Sequence, residues 1–76
     1  MITKSKVISL IMDKLPDSVV KVENFKGNDH LQVTVISSKF KGLSLVKQHQ
    51  IVYSALKEEL ASEAIHALAL KTETPN

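Results

Sequence analysis

The feature that most constrains the fold is a long periodic stretch that follows a glycine turn. After Gly42, the residues of one stripe recur every three or four positions and include a histidine: Leu45, His49, Val52, Leu56 and Leu60, with Val46 and Tyr53 on the flank. This spacing is typical of an amphipathic helix that packs on a core. Ser44 precedes the stripe, where its hydroxyl can cap the first turn. We predict a central helix from about residue 44 to 62, with any bend near His49.

The other segments predict one more helix and three strands. A helical stripe over about residues 3–15 has Thr3 or Ser5 as its N-cap and ends at Pro16. Three runs rich in apolar or β-branched residues predict strands at 19–23, 31–36 and 65–70. The first two should form a hairpin through the turn at 25–29, and the helix before the third makes the second and third parallel. The sequence thus predicts an α+β fold, with a three-stranded mixed sheet and its helices on one face.

Length and composition limit the chain to one small domain. Seventy-six residues bury too little surface to support a large active-site cleft. We expect a single domain at 1–71 and a polar, frayed tail at 72–76. The absence of cysteine excludes a disulfide-stapled secreted protein and any thiolate ligand from this chain. No segment approaches the ~20 apolar residues of a membrane span or resembles a targeting peptide, so we expect a soluble cytoplasmic protein.

A set of residues in the second half of the chain carries a specific resemblance. These residues are Phe40-Lys41-Gly42, Ser44-Leu45-Val46, His49, Val52-Tyr53, Leu56 and Ile65-His66-Ala67-Leu68. Their order and spacing resemble the signature of the BolA-like family, and the resemblance covers nearly the whole chain. It implies a small KH-like fold of the type II-like kind, in the order α-β-β-α(α)-β, whose central helical region is often two helices separated by a turn.

The predicted topology separates the three histidines. If the second and third strands are parallel neighbours ~5 Å apart, His30 and His66 lie at the same end of the sheet. The central helix extends roughly 20 Å along the sheet, so His49 cannot join them. From the residues alone, His49 is most simply a packed ring on the apolar stripe. From the residues alone, an ordinary strand residue is also a simpler interpretation of His66 than a metal ligand, and an ordinary turn residue is a still simpler interpretation of His30.

The resemblance implies a metal role for two of these histidines. In BolA-like proteins, the residue corresponding to His66 is implied to bind a 2Fe–2S cluster held jointly with a monothiol glutaredoxin and its bound glutathione. His30 matches the second ligand, which comes from the loop between the first two strands. We assign partner binding to the central segment, at Phe40, Lys41, Gly42, Lys47 and His49. The expected function is a non-enzymatic adaptor in iron–sulfur cluster trafficking or iron regulation. We also expect that this chain can form a homodimer.

Two other function classes fit the sequence less well. An enzyme is disfavoured because no Ser/His/Asp spacing or phosphate-binding glycine loop occurs, and the adjacent carboxylates of Glu58 and Glu59 point about 100° apart on a helix.

The alternative is a KH-like nucleic-acid-binding protein or transcriptional regulator. The KH clamp needs two glycines separated by two residues, and Gly42 has no such second glycine. The chain also has no arginine. Gln48 and Gln50 stand where arginines commonly flank the central histidine of the family, which weakens the inference of nucleic-acid contact.

Overall fold

The structure is a computed structural model that describes residues 2–24, 30–65 and 67–75. Three helices and three strands follow one another along the chain, with a short 3₁₀ helix (Ser38–Phe40) in the middle. They are α1 (Lys4–Lys14), β1 (Val19–Asn24), β2 (His30–Ile36), α2 (Leu45–Ala55), α3 (Lys57–Ala61) and β3 (Ala67–Glu73). This order confirms the predicted α+β class.

Helix α1 begins and ends where the sequence predicts. The backbone N–H of Lys6 donates to the hydroxyl of Thr3, so Thr3 rather than Ser5 is the N-cap. One face of the helix buries Val7 and Ile11, and Leu15 continues that face beyond the last turn. Such i, i+4 spacing places the three side chains in one row against the sheet.

The sheet has the predicted mixed topology. Its strand order is β1-β2-β3, with β1 antiparallel and β3 parallel to the central strand β2. Alternate residues of β2, namely Leu31, Val33 and Val35, are buried and join the helix residues in one core. The helices therefore cover this single face of the sheet. The predicted turn at 25–29 lies outside the described residues.

The central helical region differs from the prediction in where it breaks. The break between α2 and α3 falls at Leu56, not near His49. At Leu56 the backbone leaves helical geometry, and its N–H is shared between the carbonyls of Val52 and Tyr53 at 3.2 Å each. The side chain of Leu56 is fully buried, so the chain turns while keeping this leucine in the core.

The first turns of α2 also face differently from the predicted stripe. Val52 and Leu56 are buried as expected, but Leu45, Val46 and Tyr53 are 61%, 65% and 41% exposed. The core-facing position one turn before Val52 is occupied by the half-buried Gln48. The apolar residues at the start of α2 are therefore on the protein surface.

The third strand starts and ends later than predicted. Ile65 is buried but precedes β3, whereas Thr72 and Glu73, expected in the frayed tail, pair with Val35 and Ile36. Backbone pairing with β2 does not require apolar side chains. The polar residues of β3 can therefore extend the sheet, and the backbone N–H of Ser37 donates to the carbonyl of Glu73 at 3.0 Å.

A carboxylate joins the two connections at one end of the sheet. Asp17, in the loop between α1 and β1, accepts hydrogen bonds from the hydroxyls of Ser37 and Ser38 and from the backbone N–H of Ser38, at 2.8–3.0 Å. Hydrogen bonding from these serines, with the Ser38 hydroxyl first, keeps the pKa of Asp17 below its ordinary value of 3.8. The ionised form is therefore the one that the fold stabilises.

We predict that Asp17 makes folding stability depend on acid pH. Because its folded-state pKa is lowered, its contribution is present above the ordinary pKa of 3.8 and is lost as the pH falls through the folded-state value. Asp17→Asn should lower the melting temperature at neutral pH, and the difference in melting temperature from the wild type should shrink as the pH falls from 3.8 through the folded-state pKa. Asp13→Asn, an exposed change on α1, is the matched control. An equal loss in both variants, or a pH-independent difference, would contradict this role.

Candidate functional site

The proposed ligand position that the structure describes is the first residue of β2. His30 is half-buried and lies opposite Ala67, the first residue of β3, in the parallel register. The starts of these two strands therefore meet at one end of the sheet, as the predicted topology required. His66 immediately precedes Ala67 in the sequence, but it lies outside the described residues.

The strand alternation defines the surface to which His30 belongs. Leu31 is buried on the helix-covered face, so His30 and the exposed Gln32 belong to the opposite, helix-free face. Within residues 2–24, 30–65 and 67–75, no group of three or more His, Cys, Asp or Glu side chains is placed to bind a metal ion. The described residues thus offer one imidazole at this end of the sheet rather than a complete metal site.

The predicted partner-binding residues do not form one uniform surface. Phe40 is fully buried and is the largest of the fully buried side chains among the described residues. Its ring packs in the core and is not accessible to a partner, which corrects its assignment to a contact surface. Lys41, Gly42 and Lys47 are exposed. Gly42 has a φ of +81°, which a residue with a side chain rarely adopts.

His49 is also less buried than the periodic stripe suggested. It is half-buried, and its ring meets that of Tyr53 edge to face, with centroids 6.2 Å apart and planes at 84°. The expected fully packed core histidine is therefore not observed. The pair forms the rim between the core and the exposed side of α2.

The two sets of predicted site residues lie at opposite ends of the sheet. His30 begins β2, whereas Lys41 and Gly42 follow the 3₁₀ helix that comes after its last residue, Ile36. Seven residues of strand separate these ends by roughly 20 Å. The structure therefore does not bring the exposed lysines of the central segment together with His30.

Gln48 holds the segment that carries these lysines, a role that sequence analysis missed. Its side-chain amide donates to the carbonyl of Leu43 at 3.0 Å and reaches that of Phe40 at 3.5 Å. Its carbonyl oxygen accepts a 2.7 Å hydrogen bond from the hydroxyl of Thr72 on β3. One side chain thus connects α2, β3 and the turn at 40–43. The sequence carried no clear signal for this role, because the predicted stripe placed His49, not Gln48, on the core-facing side before Val52.

Comparison with known proteins identifies the family. A sequence model described as BolA-like protein matches residues 9–76 of the chain. The chain belongs to the BolA-like family. Among the described residues, every helix is too short or too polar to span a lipid bilayer.

Relatives of this BolA-like protein differ in length. BolA-like protein 1 of Bos taurus is 50% identical over 46 residues, which cover 60% of this chain and 33% of that protein. The uncharacterised protein RP812 of Rickettsia prowazekii is 32% identical over 72 residues, covering 93% and 92%. SufE-like protein 1 of Arabidopsis thaliana is 41% identical over 49 residues, covering 64% and 13%. The chain thus spans about a third of the mammalian relative and nearly all of the bacterial one.

Solved structures share the complete fold. BolA1 of Arabidopsis thaliana superposes with a TM-score of 0.82 at 30% identity, covering 93% of this chain and 89% of that one. The BolA domain of SufE1 from the same plant gives 0.82 at 27% identity, covering 99% and 96%. Yeast Fra2 gives 0.75 at 28% identity, covering 96% and 80%. The architecture described above is therefore that of BolA proteins.

We predict that Gln48 stabilises this BolA-like protein far more than its neighbour Gln50. Gln48→Ala removes the bonds to Thr72 and to the turn carbonyls, at a net cost of about 1 kcal/mol for each well-formed bond. The expected loss is about 1–3 kcal/mol of unfolding free energy, measured by urea denaturation. Gln50→Ala is the matched control because Gln50 is exposed on the same helix. Equal losses in the two variants would contradict the assignment.

Proposed function

We propose that this BolA-like protein is a non-enzymatic adaptor that binds a monothiol glutaredoxin and shares a 2Fe–2S cluster with it. The role would lie in cluster trafficking or iron regulation, with the cluster as cargo. Family membership supports the proposal. The observation that carries it is the parallel register, because it sets His30 opposite Ala67 and therefore beside the start of the strand that follows His66 in sequence.

The donor set of the chain fits a shared cluster better than one held alone. A 2Fe–2S cluster takes four ligands besides its own bridging sulfides, and imidazoles can replace two of the thiolates. This chain has no cysteine, so its share would be the imidazoles of His66 and His30. The glutaredoxin cysteine and the glutathione thiolate would supply the remaining two ligands. An adaptor that offers part of a ligand set acts only together with its partner.

Imidazole ligands would also suit the proposed transfer. A cluster with two histidine ligands has a higher reduction potential than one held by four thiolates. Hydrogen bonds to the ring nitrogens that do not bind iron tune such ligands further. The resulting cluster would be suited to exchange or sensing rather than permanent storage.

The occurrence of a BolA domain in SufE1 supports a modular role. SufE-like protein 1 matches this chain over only 13% of its own length, so the BolA fold there is one part of a larger protein. In that relative the BolA domain is covalently joined to another domain. A BolA domain that is a protein on its own could join other proteins by binding them, which is the role of an adaptor. Self-association into a homodimer stays a prediction.

Three histidine variants test the proposed ligand set. The protein should be co-purified with a monothiol glutaredoxin, and the cluster followed by visible absorbance and circular dichroism. His66→Ala should abolish the mixed cluster, and His30→Ala should weaken it or alter its spectrum. His49→Ala is the control, because His49 lies on α2, away from the first residues of β2 and β3. This variant should keep the spectrum of the mixed cluster, even if it melts at a lower temperature or, as its predicted partner contact implies, binds the glutaredoxin more weakly.

Two results would contradict the proposal. The first is a mixture whose spectrum is indistinguishable from that of the cluster-bound glutaredoxin homodimer alone. The second is an intact cluster in His66→Ala together with loss of the cluster in a well-folded His49→Ala. Thermal melts of each variant separate loss of ligation from loss of folding.

A further inference from the structure

Positively and negatively charged residues are distributed unevenly along the sequence. From His30, the first residue of β2, to Leu56, the C-cap of α2, the sequence contains three lysines and no aspartate or glutamate. The rest of the chain contains seven lysines and eight acidic residues. The formal charge is therefore +3 on this segment and −1 on all other residues together. Asp17 and Glu73 also reach this end of the sheet, so the positive charge is local to the exposed lysines of the segment, which can attract the carboxylates of a partner.

The three lysines of this segment are exposed and lie around the start of α2. Lys39 and Lys41 flank the buried Phe40, and Lys47 is in the first turn of the helix. Gln48 ties the turn that follows Lys41 to the helix through the carbonyl of Leu43. The lysines are thus carried by a fixed scaffold rather than by a free loop.

Apolar surface accompanies these positive charges. Leu45 and Val46 are more than 60% exposed in the same helical turn as Lys47. An open groove of about 340 Å³ continues along α2 and is lined by Leu43, Lys47, Gln50, Ile51 and Ser54. We call this combined surface, formed by Lys39, Lys41, Leu45, Val46, Lys47 and the groove, the α2 surface. Exposed aliphatic side chains beside a groove are typical of peptide-binding sites.

We propose that the α2 surface binds an acidic protein segment that also carries aliphatic side chains. The lysines would pair with its carboxylates, and Leu45, Val46 and the groove would bury its apolar residues. This partner site lies at the opposite end of the sheet from His30, and its existence does not depend on the proposed cluster chemistry. Lys41 and Lys47, which the sequence analysis assigned to the glutaredoxin contact, would then serve this second partner instead, and the protein could engage two partners at once, one at each end.

The composition of the surface favours a protein over a nucleic acid. Arginine is the residue best suited to bidentate contacts with phosphate and guanine, and the chain has none. Single-stranded nucleic acids stack on exposed aromatic rings, whereas Leu45 and Val46, the large side chains exposed beside Lys47, are aliphatic. The exposed aromatic ring of α2, Tyr53, lies two turns further along the helix and meets His49 edge to face. Aliphatic side chains gain nothing from contact with phosphate but are buried by the apolar residues of a peptide.

Titration of the full chain labelled with ¹⁵N tests the proposal. The probes are a short synthetic peptide of glutamate and leucine, an all-glutamate peptide of equal length, and a short DNA duplex. The mixed peptide should bind saturably with a Kd below about 1 mM, and more weakly as salt is raised. Shifted amides should map to residues 39–54. The all-glutamate peptide should bind several-fold more weakly.

Paired variants separate this site from general charge attraction. Lys41→Gln with Lys47→Gln should raise the Kd about threefold to tenfold, as expected for the loss of two exposed ion pairs. Lys4→Gln with Lys14→Gln removes the same charge from α1 and should leave the Kd unchanged. Val46→Gln should weaken binding, whereas Met12→Gln, at an exposed position on α1, should not. His30→Ala should bind the peptide like the wild type even if it fails to share a cluster.

Three results would overturn the proposal. The first is that the mixed peptide does not bind at all. The second is equal weakening by the α2 and α1 lysine pairs, which would indicate net charge rather than a site. The third is tighter binding of the DNA duplex with the same dependence on Lys41 and Lys47, which would make the α2 surface a nucleic-acid site.

Discussion

The parallel pairing of β2 with β3 is the interaction on which the rest of this structure depends. It forces the chain to cross the sheet between the two strands, and the crossover is made by α2 and α3. These helices then cover the same face as α1, which encloses the apolar side of the sheet. The register of the pairing also sets His30 against the start of β3. Fold and proposed ligand geometry therefore have one cause.

The crossover also explains why the two proposed sites lie at opposite ends of the sheet. Because β2 and β3 run in the same direction, their first residues meet at one end, and the connections that leave β2 gather at the other. Phe40 and Gln48 fix that second end, the former by filling the core and the latter through Leu43 and Thr72. The exposed lysines and aliphatic residues of the α2 surface are displayed on this fixed framework. A small domain can thus offer separate surfaces without a large cleft.

Sequence patterns predicted the parts of the fold that depend on local chemistry. The caps at Thr3 and Ser44 followed from hydroxyl groups placed before apolar periodic segments, and both accept the expected backbone hydrogen bonds. The hairpin and the parallel crossover followed from element order. The family resemblance predicted that the central helical region is divided into two helices. The position of the division, at Leu56, was not predicted, because it depends on keeping that side chain in the core.

The features that the sequence could not predict depend on tertiary contacts. Helical periodicity does not reveal that Gln48 replaces an apolar residue over the sheet, so the exposure of Leu45 and Val46 was missed. The polar end of β3 resembled a tail because its pairing is made by backbone groups alone. Phe40 belongs to the family signature, but a signature does not distinguish a residue that packs in the core from one that contacts a partner.

The central claim is that this chain supplies histidine ligands to a cluster shared with a glutaredoxin. The most direct measurement is pulsed electron paramagnetic resonance of the reduced complex, prepared from this chain labelled with ¹⁵N-histidine and an unlabelled glutaredoxin. The account predicts strong ¹⁵N couplings to the cluster, with one set lost or changed in His30→Ala and both absent in His66→Ala, where no mixed cluster forms. A reduced mixed cluster without any strong ¹⁵N coupling would contradict it.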